Sequence, residues 1–180
     1  MDLDRDPIVS VVHRGIKADI RTLLDHEGYR GAVLLTYAGM DAMAFVSMPP
    51  AQAEVKSSDF IAWADRYMRF PCGERISGEE LYAARCATLH TYGTESRMTR
   101  SGSVRQVGYM SDSKPEVRFD ATVAANLVVV SVPALATAFF EGIDAFLVDS
   151  FAGASRGAVL ETRFKKLLHV WPTEGGLTRA

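Results

Sequence analysis

The chain has 180 residues, 48% of them apolar and 23% charged, the make-up of one soluble globular domain with a full-size core. A formal charge of −2 gives no overall pull towards nucleic acid, so any such site must be a local patch. Two cysteines, Cys72 and Cys86, are too few for a disulfide framework and lack Cys or His partners at metal-finger spacing. The opening MDLDRDP lacks the basic-then-apolar order of a secretory signal, so a reduced, cytoplasmic setting is expected. Composition excludes a fibre, a disordered tail, a secreted scaffold and a membrane span.

Asp6 suits a helix cap and Pro7 the first helical position. Apolar residues then recur at Ile8, Val12, Ile16, Ile20 and Leu23 or Leu24, which predicts a first helix over about 7–27 with Gly28 as its stop. Helix 2, Tyr29–Ser47, is apolar on nearly every side, as a central bundle helix must be, and Pro49 and Pro50 end it. Ser57 or Ser58 opens a third helix over about 58–70, with Phe60, Ile61, Trp63, Ala64 and Tyr67 for packing. The pattern Ser77-Gly78-Glu79-Glu80 is a capping box that opens a fourth helix, ending near Gly93.

Helical periodicity disappears from Thr94 to Asp120. Val104–Met110 and the β-branched run Leu127–Val132 predict two short strands, with Ser111–Asn126 as a long loop between them. Pro133 begins a fifth helix with Leu135, Phe139, Phe140, Ile143, Phe146 and Leu147 inward, and Ser155 caps a sixth, whose Val159, Leu160, Phe164, Leu167, Leu168 and Trp171 pack. The expected fold class is mainly α: a single domain over 1–180, a helical bundle of about six helices with a small β-hairpin insertion at about 104–132.

The sequence holds no Gly-rich phosphate loop, GxSxG elbow, HExxH or paired-cysteine spacing, and neither a metal nor a cofactor is expected. Of the four histidines, His90 stands out by its surroundings. Arg85 and Tyr92 fall on one stripe of helix 4, two turns apart. His90 lies about 140° round and about 7.5 Å along from Arg85, within reach of a flexible guanidinium. It sits in the last turn, where free carbonyls favour a protonated ring.

Asp41, inside apolar helix 2, must be paired or face a cavity. It either orients Arg85 or His90 from the neighbouring helix or bonds a tyrosine hydroxyl or an arginine of the bundle. Arg97, Arg100 and Arg105 follow the motif with Glu95 as the only nearby acid, and form either a basic run for RNA phosphates or a solvated loop. Cys86 is expected to be a packed thiol and the helix 2 methionines core filler.

The segment Arg85-Cys-Ala-Thr-Leu-His90-Thr-Tyr92 resembles the HEPN family (higher eukaryotes and prokaryotes nucleotide-binding domain). Its signature is an Arg, four to six residues and a His near the end of a bundle helix. The branch of toxins paired with minimal nucleotidyltransferases carries the longer form Arg-x4-His-x-Tyr found here. The capped amphipathic first helix and the nearly all-apolar second are similar too, so the resemblance covers about residues 7–93, with helix 5 as a further bundle member.

The resemblance implies a HEPN-like bundle that forms a homodimer, with the motifs of two chains facing each other across a cleft. It also implies a metal-independent endoribonuclease serving as a toxin or defence component, with RNA as substrate and a cognate antitoxin protein as partner. His90 would be the acid/base and Arg85 the phosphate clamp. Tyr92 would be a supporting site residue, modified by the partner enzyme in the paired-toxin branch. Many active members carry a polar residue directly after the Arg, where this chain has Cys86. The alternative is a non-catalytic HEPN-like interaction module that binds a partner protein or a nucleotide with the same face; a third reading is a structural bundle with no site.

Overall fold

The computed structural model describes residues 6–70, 74–112, 114–152 and 154–170; Cys72, the stop expected over 71–73 and the packing residue Trp171 lie outside them. The expected first cap forms, with the Asp6 carboxylate accepting the N–H groups of Ile8 and Val9 at 2.8 and 3.1 Å. The helix winds as a π-helix over Val9–Ile16 before it becomes α1 (Lys17–Asp25). Of its expected apolar stripe, Val12 and Ile20 are fully buried, and Ile8 and Ile16 are half-buried against the core.

Helices α2 (Tyr29–Ser47), α3 (Ser57–Tyr67) and α4 (Gly78–Thr91) pack successively against one another, and α7 (Val132–Phe151) and α8 (Ala154–Phe164) complete the bundle. Helix α3 stops at Tyr67, short of the expected 70, because Met68 turns to extended backbone. Lys56 rather than a serine holds its cap position, donating its N–H to Asp59 at 2.7 Å. Helix α2 is central as expected, with Tyr37, Met40, Met43 and Val46 fully buried. Helix α7 crosses it at Gly39, where a Cβ would stand 2.6 Å from the Phe139 ring. Trp63, Phe139, Tyr67 and Phe146 meet edge-on at the α3–α7 contact.

The expected hairpin does not form. Strands β1 (Gln106–Met110) and β3 (Leu127–Ser131) pair in parallel, and β2 (Val117–Phe119) pairs antiparallel with the other edge of β3, so the order is β1-β3-β2. The run LVVVS has buried or half-buried side chains on both faces, which marks a central strand with a neighbour on each side rather than a hairpin arm. A parallel pair also needs a crossover connection. The presumed loop supplies it, carrying β2 and the single-turn α6 (Ala121–Ala124). With α6 and the equally short α5 (Arg97–Arg100), the described residues hold eight α-helices, of which six are the long ones expected.

Arg105 ties this sheet to α4. Its guanidinium donates to Glu80 at 2.5 Å, to Glu74 at 2.6 Å and to the Arg75 carbonyl at 2.8 Å, and lies 4.6 Å over the Phe119 ring of β2. Glu80 is also the acid of the capping box, which forms as the sequence predicts. The Ser77 N–H donates to its carboxylate at 2.8 Å, and the Ser77 hydroxyl accepts from the Glu80 N–H at 3.2 Å. Burial pushes the Glu80 carboxyl up, but the bonds from Arg105 and Ser77 outweigh it and leave its pKa below the ordinary 4.5.

The stabilisation from Glu80 is therefore complete above about pH 4.5 and is lost as pH falls through the lower folded value. Unfolding followed by circular dichroism across an acid titration should show Glu80→Gln less stable than wild type at pH 7, with the difference shrinking below about pH 4.5. A difference that stays constant with pH overturns this assignment.

Candidate active site

Two antiparallel neighbours build the site: α4 supplies Arg85 and His90, and α2 supplies Asp41. The Arg85 Nε donates to both Asp41 carboxylate oxygens, at 2.9 and 3.2 Å, and its Nη2 lies 2.8 Å from Oδ2. The remaining edge of the guanidinium points to His90, with Nη1 3.2 Å from Nε2. Arginine can only donate, so in this contact Nε2 is the acceptor. Burial alone would lower the Arg85 pKa, but the bonds to Asp41 dominate and raise it, keeping the guanidinium charged. The pair is only partly buried, with side-chain exposures of 21% for Arg85 and 32% for Asp41. Asp41 is paired, as a carboxylate inside an apolar helix must be, and its partner is Arg85 from the neighbouring helix.

Tyr92 stands apart from this chain of contacts. It caps α4 in the left-handed conformation (φ 54°) with its side chain 64% exposed, and no described hydrogen bond ties it to Arg85 or His90. The expected stop, Gly93, instead closes the turn by donating its N–H to Ala87 at 3.2 Å. Tyr92 overhangs a cleft of about 570 Å³ between the end of α4, the first turn of α2 and β1.

The three loop arginines separate. Arg97 and Arg100 are exposed at the two ends of α5, which Ser96 caps. Arg105 is committed to Glu74 and Glu80, as described above. Cys86 is half-buried beside Tyr82, whose hydroxyl is pushed up by burial and then by the thiol.

One arrangement had no local signal. The fully buried Tyr37 hydroxyl meets the Tyr109 hydroxyl at 2.8 Å, and burial raises the pKa of both. A tyrosine inside an apolar helix announces that it needs a partner; only the packing of β1 against the bundle says which. Among the described residues no group of three His, Cys, Asp or Glu side chains could hold a metal, and no helix is long and apolar enough to cross a membrane. No family model matches this sequence, and no curated protein or solved structure matches it either.

Proposed function

We propose that this chain is a HEPN-like, metal-independent endoribonuclease that acts as a cytoplasmic homodimer in a toxin or defence role, with a cognate antitoxin protein as its partner. The observation that carries the reading is the Asp41–Arg85–His90 chain, in which one carboxylate fixes a guanidinium and leaves its free edge against an imidazole acceptor. That is what RNA cleavage without a metal requires. When the Arg85 Nη1 turns from Nε2 to the phosphate, the freed His90 Nε2 lone pair takes the proton of a 2′-hydroxyl, and the 2′ oxygen forms a bond to the adjacent phosphorus. The bond from phosphorus to the 5′ oxygen breaks, and that oxygen takes up the proton that His90 accepted. Arg85 balances the charge that grows on the non-bridging oxygens. Arg97 and Arg100 are exposed cations available to flanking phosphates, and Tyr92 is a supporting group at the rim.

The test is incubation of purified protein with total RNA in EDTA, beside His90→Ala. The expected result is new fragments ending in 2′,3′-cyclic phosphate, reduced by at least about a hundredfold in the variant. Intact RNA with a folded wild-type dimer overturns the nuclease and leaves the non-catalytic interaction module as the reading.

A further inference from the structure

We propose that Ser103 is a phosphorylation site for an arginine-directed protein kinase, and that its phosphoryl group takes Arg97 and Arg100 away from nucleic acid. The effect on RNA rests on the nuclease reading above; the modification itself does not.

From Ser96 to Ser111 the chain holds Arg97, Arg100 and Arg105 and no acid, with Ser101 and Ser103 among them. A kinase whose substrate groove is lined with carboxylates recognises such a run, because each guanidinium pairs with a carboxylate through two parallel bonds. Arg100 stands three residues before Ser103 and Arg97 six before, and both are exposed. Arg105 is already held by Glu74 and Glu80, so it anchors the far end of the segment instead.

Hydrogen bonding separates the two serines. Ser101 donates its one hydroxyl proton to the Met98 carbonyl at 3.0 Å, so in its 2.8 Å contact with Ser103 it can only accept. Ser103 is the donor there, and its oxygen keeps its lone pairs for a new bond.

The turn is also easy to lift. Helix α5 is a single turn, and neither it nor the stretch 101–104 buries a residue. Gly102 takes the left-handed conformation (φ 72°), and a Cβ there would meet nothing within 4 Å, so the turn stands clear of the bundle. Gly102 and Ser103 close it by donating to the Thr99 and Met98 carbonyls, each at 3.1 Å. A segment that buries so little opens at small cost and can lie extended in a kinase groove.

In the transfer, the Ser103 Oγ forms a bond to the γ-phosphorus of a nucleoside triphosphate. The bond from that phosphorus to the β,γ-bridging oxygen breaks, the nucleoside diphosphate leaves, and the hydroxyl proton passes to a carboxylate of the kinase. The product carries nearly two negative charges and three strong acceptor oxygens. Arg100 and Arg97, on the same turn, satisfy them with charge-assisted bonds and so are spent before RNA phosphates reach them.

The full chain is incubated with magnesium ATP and the catalytic subunit of the cyclic-AMP-dependent protein kinase, and the product is mapped by tandem mass spectrometry. One phosphoryl group per chain is expected, on Ser103, at a rate about tenfold lower in Arg100→Ala and retained in Ser101→Ala. RNA binding is then read in the His90→Ala background, so that the ligand stays whole. Phosphorylation should weaken binding of a fluorescent single-stranded RNA and flatten the slope of log affinity against log salt by about 1.4, the share of two phosphate contacts. No incorporation, incorporation only at another residue, or an unchanged rate in Arg100→Ala overturns the site. An unchanged salt slope in the modified chain overturns the capture of Arg97 and Arg100. If the unmodified chain binds no RNA, the nuclease reading and the effect on RNA fall together, while the mapped site stands or falls by itself.

Discussion

Arg85→Lys is expected to reduce RNA cleavage by about a hundredfold to a thousandfold while the chain stays folded. The guanidinium makes three contacts to Asp41 and one to His90 from a single rigid plane. A lysine ammonium is a point charge on a flexible stem and cannot hold the carboxylate and face the imidazole together. Because Arg85 and Asp41 are both partly solvated, losing their pairing should change stability by no more than about 1 kcal/mol. Single-turnover cleavage in EDTA, read beside thermal melts, separates the two effects. A lysine variant that cleaves at the wild-type rate removes Arg85 from the chemistry, whereas a loss of activity matched by a large loss of stability makes the arginine structural.

The largest effect on stability is expected at a residue far from this site. Arg163 of α8 is 6% exposed, and its guanidinium donates to the carbonyls of Val46 at 3.1 Å, Pro49 at 2.8 Å, and Met48. These are the carbonyls at the end of α2, where the helix leaves its acceptors unpaired and its dipole favours a cation. Burial lowers the Arg163 pKa and is the main influence on it. Arg163→Ala strands buried acceptors and opens a gap, and should cost about 3 kcal/mol, lowering the melting temperature by about 6–12 °C for a chain of this size. Urea unfolding measures it directly. A loss below about 1 kcal/mol would mean that water reaches those carbonyls as well as the guanidinium does.

Residues whose partners lie within one turn of chain were legible before any fold was known. Asp6 and Ser77 cap the helices they were expected to cap, because a cap bonds N–H groups only two or three positions on. The apolar runs of α2 and α7 fell inside the bundle because periodicity records which face is buried. Arg85 and His90, five apart on one helix, were close enough for helix geometry alone to bring them within reach. The helix ends were less readable. Gly28 and Gly93 marked the right places, but Glu27 and Tyr92, one residue earlier, took the left-handed turns while the glycines closed them.

Composition and local spacing by themselves determined a mainly helical single chain with six long helices, the caps of several, and an Arg–His pair at the end of one. Tertiary structure alone decided that Asp41 holds Arg85 across 44 residues, that Arg105 is spent on Glu74 and Glu80, and that Tyr37 meets Tyr109 across 72. It also decided that β1 runs parallel to β3 with β2 on the far edge, and that Arg163 closes the end of α2. The division has one physical cause: helix caps and helical periodicity depend on neighbours a few bonds away, whereas a buried charge or a strand edge takes whichever partner the packing of the whole chain delivers.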